Sequence, residues 1–152
     1  MRISLGYDRH RLVPDASGMV KVAGESVCCG FAVVAHSDGD VVFHAVSDAL
    51  ASVFLNRTIG ELFPDDDERW RGRDSSYFLE RTYSLCGCPS VESADVVVVS
   101  DQVMLRGRTE AMRSNIARIL GLEIGRISMK GRRKEDDGVS PAIECFCTIL
   151  FA

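Results

Sequence analysis

Apolar residues recur along this chain with two different periods, and the switches between them mark out its elements. Alternation by two runs from Arg2 to Asp8 (Arg-Ile-Ser-Leu-Gly-Tyr-Asp) and predicts a first strand. Met19–Ala23 and Val27–Val34 are further extended segments, and Gly24-Glu25 between them predicts a hairpin. From Asp40 to Leu55 the period changes: Val42, Phe43, Val46, Leu50, Val53 and Phe54 repeat at helical spacing, with Ser37, Asp38 and Asp40 as candidate caps. Asn56 to Arg73 is polar and turn-rich. A helix capped by Asp74 or Ser75 reaches about Leu85. Val91–Ser100 reads as a strand, and the consecutive valines 96–99 lead us to expect burial on both faces. Gly107–Leu120 carries Met112, Ile116, Ile119 and Leu120 at helical spacing and stops at Gly121. Two strands, Arg126–Lys130 and Ala142–Phe151, close the chain. Strands separated by helices predict an α/β chain, an α+β sandwich: one mixed sheet of about four main strands on about three helices, with a small N-terminal hairpin.

Nothing in the chain breaks this into parts. It has no repeat, low-complexity tract or linker, and 152 residues make a single domain, 1–152, with room for a real core. Hydrophobic content of 46% and charged content of 26% are those of a soluble globular protein. The net charge of -4 excludes the basic footprint of a nucleic-acid binder. A phosphorylated ligand would therefore be held by local features: a metal, a few Arg or Lys side chains, or backbone N–H groups. No basic-then-apolar leader opens the sequence and no apolar run would span a membrane, so a cytoplasmic location is expected. The six cysteines fall as Cys28-Cys29, Cys86-Gly-Cys88 and Cys145-Phe-Cys147. Such spacings disfavour disulfides within each pair, and reduced thiols are expected, with a second, cysteine-ligated metal site as the alternative.

The candidate chemistry lies near the N-terminus, where all three histidines fall among carboxylates. Asp8 and His10 stand two apart on a strand, so their side chains leave on the same side. His44 lies in the first turn of the helix that follows His36-Ser37-Asp38-Gly39-Asp40. A strand end and a helix start can meet at one ion. Asp8, His10 and His44 form a mixed N/O set suited to Zn²⁺, with the fourth position open as in a catalytic site. The alternative is three separate structural or solvated histidines.

These residues resemble the 2-C-methyl-D-erythritol 2,4-cyclodiphosphate synthases of the non-mevalonate isoprenoid pathway. The opening Met1 to His10, the run Ala35-His36-Ser37-Asp38-Gly39-Asp40 with His44, Ser47-Asp48-Ala49-Leu50, Ile59-Gly60-Glu61-Leu62-Phe63-Pro64-Asp65 and Asp74-Ser75 match that family in order and spacing. The resemblance implies a homotrimer with active sites between subunits, using Zn²⁺ and a second ion, Mg²⁺ or Mn²⁺. The implied substrate is a small nucleotide diphosphate, 4-diphosphocytidyl-2-C-methyl-D-erythritol 2-phosphate. Its 2-phosphate attacks the β-phosphorus, releasing CMP and closing a cyclic diphosphate, with no nucleophile from the protein. By resemblance, Asp8, His10 and His44 hold zinc in contact with the substrate, and His36 and Ser37 lie beside its phosphates. Asp40 contacts the erythritol hydroxyls; its chemistry alone would also allow a general base or a fourth ligand. Gly60, Phe63, Asp65 and Asp67 shape the erythritol loop, with Ser75 nearby, and Glu135 is the second-metal carboxylate. Read on its own, Glu135 is equally a solvated acidic turn with Asp136 and Asp137.

The C-terminal half departs from the family. Lys130-Gly131-Arg132-Arg133-Lys134-Glu135 replaces a Thr-rich segment, so a hydroxyl donor to phosphate has become a cation. Arg132, Arg133 and Lys134 either clamp a diphosphate, crowd the second metal, or form a solvated basic turn. The cytidine-side motif appears as Asp101-Gln102-Val103-Met104-Leu105 without its lysine, leaving Met104 and Leu105 as the matching contacts. Thr58 stands where the family has an Asp that binds erythritol hydroxyls. A shorter Val139-Ser140-Pro141 replaces the Gly-rich loop that lines the family's central trimer channel. The expected function is the synthase. The alternatives are a zinc-dependent phosphohydrolase with altered substrate and a non-catalytic zinc-bound trimer.

Overall fold

The computed structural model describes residues 1–135 and 140–152. Strand β1 (Arg2–Pro14) is followed by a hairpin, β2 (Met19–Val22) and β3 (Glu25–Cys28), and then by β4 (Phe31–Val34). Helix α1 (Val41–Leu55), the short α2 (Ile59–Leu62), a 3-10 turn at Glu68–Trp70 and α3 (Ser75–Leu85) come next. The chain ends with β5 (Val91–Val99), α4 (Thr109–Leu120), β6 (Ile127–Arg132) and β7 (Ala142–Phe151). The main sheet has five strands in the order β4-β1-β7-β5-β6, and β2 and β3 pair separately. Only β5 and β6 among these neighbours run parallel, so the sheet is mixed.

Three local expectations are corrected. β1 continues past Asp8 to Pro14, because Arg11–Pro14 gain a partner in Phe31–Val34 and β7 pairs with Arg2 through Arg11. Asp8 and His10 are therefore interior strand positions, on the inner face with Ser4, Gly6 and Leu12, while Arg9 and Arg11 point outward. The segment from Val27 to Val34 is two strands, with β3 in the hairpin and β4 on the sheet edge, which supplies the fifth strand. The valines of β5 alternate instead of burying both faces: Val96 and Val98 are buried, and Val97 and Val99 are partly exposed because no layer covers the outer face.

The core lies between the inner face of the sheet and α1, α3 and α4. α1 rests directly on β1 at Gly6. A Cβ there would sit 1.9 Å from the Ala45 carbonyl oxygen and 2.7 Å from Ala49 N, so only glycine permits this approach. That contact brings the first turn of α1 down onto the strand that carries Asp8 and His10.

Candidate active site

His44 meets Asp8 and His10 where α1 crosses β1. His44 Nδ1 lies 3.1 Å from Asp8 Oδ2, and His10 Nε2 lies 2.9 Å from the same oxygen. The ligand atoms of these three residues all fall within 4.8 Å of one another, and they are the one such group of His, Cys, Asp and Glu among the described residues. His10 Nε2 is buried and, despite its closeness to Asp8, has no hydrogen-bond partner. It approaches the carboxylate without aligning on it, as ligands converging on a common ion do. Burial works against ionisation of Asp8, but the two imidazoles beside it outweigh that and hold its carboxyl well below the usual carboxylate range. A carboxylate and two imidazoles with an unpartnered nitrogen fit a divalent cation of the zinc class.

The triad opens onto a cavity of about 320 Å³. His36 and Ser37, from the connection between β4 and α1, form one wall, and Ile59, Gly60, Phe63 and Asp65 form another. Trp70 and Phe78 close it, with the Phe63 ring 5.4 Å from Trp70 and 4.9 Å from Phe78. Backbone bonds from Gly72 N to His36 O (2.9 Å) and from Asp38 N to Arg73 O (3.2 Å) hold the loop against this connection. His36 Nε2 and Trp70 Nε1 are buried without hydrogen-bond partners. An anionic ligand would find here a cation site and two unused ring nitrogens over an apolar floor.

A second cavity, about 280 Å³, lies at the far ends of β5 and β6. Met104 and Leu105 supply its apolar wall; Arg106, Arg132 and Arg133 supply charge. Asp101 organises this end: its Oδ1 accepts from the backbone N–H groups of Lys134 (3.0 Å) and Glu135 (3.1 Å) and lies 3.6 Å from Arg133 Nε. Lys134 Nζ turns away to Glu144, 3.4 Å distant. Glu135 is exposed and holds a left-handed backbone with φ 63°. Among the described residues, none lines both cavities.

The model of the YgbB family matches residues 1–152. A 2-C-methyl-D-erythritol 2,4-cyclodiphosphate synthase of Aquifex aeolicus (strain VF5) is 31% identical over 99% of this chain and 96% of its own length. The chain belongs to the YgbB family of 2-C-methyl-D-erythritol 2,4-cyclodiphosphate synthases. A second family member, from Rhodopirellula baltica (strain DSM 10527 / NCIMB 13988 / SH1), is 37% identical over 88% of this chain and 81% of its own length. A solved structure of such a synthase in its CDP-bound form is 31% identical, covers 99% of this chain and 100% of its own, and superposes with a TM-score of 0.89.

Within this YgbB-family fold, the residues expected at the site divide in two. Asp8, His10, His36, Ser37, His44, Gly60, Phe63 and Asp65 line the first cavity, and Met104, Leu105, Arg132 and Arg133 line the second. Four others line neither cavity. Asp40 is fully buried and faces away from the cavity: as the N-cap of α1 it accepts from Val42 and Phe43 N–H, and it binds the hairpin through Ala23 N (2.8 Å) and Gly24 N (2.6 Å). Burial raises its pKa in spite of those bonds. With both oxygens so engaged, Asp40 cannot serve as a base, a ligand or a hydroxyl contact. Thr58 caps α2 in a capping box with Glu61, which occupies its hydroxyl. Asp67 caps the 3-10 turn and forks with Arg69. Ser75 is fully buried behind His44 rather than in the cavity. Val139 and the Asp136-Asp137 pair lie outside the described residues.

Two functional-looking residues were quoted within motifs but given no role by the sequence reading. Asp48, one helical turn after His44, accepts from Tyr7 N (3.4 Å), and burial raises its pKa against its backbone bonds to Tyr7 and Ile59. Asp101 opens the altered cytidine-side motif, where only Met104 and Leu105 were read as contacts. Helical spacing from His44 was the available signal for Asp48.

Proposed function

We propose that this chain is a 2-C-methyl-D-erythritol 2,4-cyclodiphosphate synthase, converting 4-diphosphocytidyl-2-C-methyl-D-erythritol 2-phosphate to the cyclic diphosphate and CMP. The observation that carries this is the Asp8–His10–His44 triad opening onto a cavity walled by His36, Ser37 and the Ile59–Asp65 segment. In the reaction an oxygen of the 2-phosphate forms a bond to the β-phosphorus, and the bond from that phosphorus to the CMP oxygen breaks. The difficulty is bringing two repelling phosphates together in a flexible molecule, so positioning and charge stabilisation supply the catalysis.

Asp8, His10 and His44 would hold Zn²⁺, and Glu135 would hold Mg²⁺ or Mn²⁺. Bound there, the cations would supply positive charge to offset the repulsion between the phosphates. His36 donates to a phosphate oxygen through the ring nitrogen that has no protein partner, and Ser37 adds its hydroxyl. Phe63 and Asp65 enclose the erythritol, with Gly60 leaving room beside them. Met104 and Leu105 pack on the cytosine, and Arg132 and Arg133 grip the diphosphate in place of the family's threonines.

We also infer a homotrimer with each site assembled from two subunits. The outer face of the sheet supports this: Ile3, Leu5, Tyr7 and Phe146 are 68%, 62%, 44% and 40% exposed on it, an apolar strip of the kind that marks an interface. The separation of the two cavities within one chain supports it as well, since a neighbour can bring its second cavity to the first. No helix among the described residues is long and apolar enough to cross a membrane, and all six cysteines are free thiols, as a reducing cytoplasm would keep them.

³¹P NMR of the full chain with the cytidyl-diphosphate substrate, Zn²⁺ and Mg²⁺ tests the reading. A coupled cyclic-diphosphate pair with CMP, absent for His44→Ala, is expected. Release of an open phosphate would make the chain a phosphohydrolase, and unchanged substrate from zinc-loaded, folded protein would sink the catalytic reading.

A further inference from the structure

The side of His44 turned away from Asp8 is also fully occupied. Its Nε2 lies 2.9 Å from Ser75 Oγ, and Ser75 Oγ is in turn in very short contact with Asp38 Oδ1. Ser75 is fully buried at the start of α3, and Asp38 is held in place through the bond from its N–H to Arg73 O (3.2 Å).

Counting protons gives this chain a direction. A carboxylate offers only acceptors, and a serine hydroxyl has one proton. Ser75 therefore donates to Asp38, and its oxygen is left to accept from His44 Nε2–H. Ser37 Oγ, 3.3 Å from Nε2 and already accepting from Gly39 N (3.2 Å), can take a share of the same proton. In a neutral imidazole the other nitrogen then carries the lone pair. That nitrogen is Nδ1, 3.1 Å from Asp8 Oδ2, the same oxygen that the unpartnered His10 Nε2 approaches to 2.9 Å.

We propose that Ser75 and Asp38 are positioning residues for the metal centre, a hydrogen-bonded relay that locks His44 in the Nε2–H tautomer and presents its Nδ1 lone pair to the cation. The proposal rests on the metal reading of the triad. Partners of this kind orient a metal-bound histidine and raise its basicity, and their loss costs about ten- to a hundredfold in metal affinity. A serine that merely filled space would leave both tautomer and affinity unchanged on truncation.

The test uses the full chain with zinc alone. Competition against a chromophoric chelator gives zinc affinity for wild type, Ser75→Ala and Asp38→Asn. Long-range ¹H–¹⁵N correlation spectra of the zinc-loaded wild type identify the tautomer of His44. The expected result is an Nε2–H His44 in wild type and zinc affinity lower by about tenfold or more in Ser75→Ala, with its far-ultraviolet circular dichroism unchanged. Wild-type zinc binding with an Nδ1–H His44 would overturn the relay and leave the metal reading standing, as would full-strength binding by folded Ser75→Ala. A wild-type chain that binds no zinc would overturn both. The tautomer measurement needs no variant, so it decides the matter even if Ser75→Ala fails to fold.

Discussion

The two cavities of this chain are built in opposite ways. In the first, the metal-facing groups and the loop are held in place: His44 by Ser75 and Ser37, Asp8 between two imidazoles, the loop by backbone bonds to His36 and from Asp38. Its side chains come from an interior strand, a capped helix and a buried helix start. The second is formed by strand ends and a connection, and its charge comes from arginines on flexible stems. There the fixed element is a carboxylate, Asp101, gripping two backbone N–H groups. Rigid geometry is what a cation and in-line phosphates require; a mobile cationic rim is enough to attract and retain a charged leaving group. The contrast also tracks where the chain departs from its family. The rigid cavity holds the motifs in which the sequence resembles the family, and the arginine-lined one holds the segments read as departures from it.

The largest effect should come from breaking the rigid side. His44→Ala removes a ligand at the junction of α1 and β1, and turnover followed by CMP release should fall by about a thousandfold or more. On the proposed metal reading, a chelator should do the same to the wild type and added Zn²⁺ should reverse it. If His44→Ala retains activity within tenfold, the triad is not the catalytic centre.

Next is the contact that brings the triad together. A methyl at Gly6 would collide with backbone of α1, so Gly6→Ala should destabilise the chain by about 1–3 kcal/mol in urea unfolding and weaken zinc binding together. Gly125→Ala, where an added Cβ meets nothing within 4 Å, is the matching control and should change neither. Equal effects of the two would mean that the close approach at Gly6 does not govern the site.

On the arginine-lined side a milder and different change is expected. Arg132→Ala and Arg133→Ala should each raise KM about tenfold with kcat within a few-fold, and should flatten the dependence of KM on salt. A loss confined to kcat would place these arginines at the reacting phosphorus and erase the contrast between the cavities.

The smallest effect probes the sheet behind the triad, where Cys145 pairs with Asp8. Burial pushes the Cys147 thiol up to about 12 and raises Cys145 well above its ordinary value. Thiolate is therefore scarce at both below that range, and alkylation at pH 8 should label exposed Cys28 and Cys88 and spare these two until the chain unfolds. Early labelling of Cys145, read by peptide mass spectrometry, would show that the sheet opens under the site.

Much of this was legible in order and spacing. Asp8 and His10 share a face because a strand repeats every two residues, and that parity survives even though β1 is longer than its local pattern shows. His44 follows from the helix phase set by Val42, Phe43 and Val46. The caps Asp40 and Asp74 were readable too, yet Asp40 shows the limit. The same carboxylate reads as a cap or as a reactive group until the hairpin is seen folding back to donate Ala23 N–H and Gly24 N–H to it. Thr58 and Asp67 read as caps only once the structure is seen, each engaged by a neighbour three or two residues on.

Local periodicity thus carried the element types, the inner faces and the residues of the candidate metal group, since each depends on backbone geometry repeated over a few residues. The five-strand order, the close seat of α1 on Gly6 and the orientation of Ser75 and Asp38 behind His44 came from folding alone. These depend on pairs far apart in the sequence, 31 residues for Ser75 with His44 and 149 for Arg2 with Phe151, and no short-range pattern records which buried polar groups will meet. Fold and ligands are written in period and spacing; what surrounds the ligands is decided by packing, where each buried donor must find its acceptor.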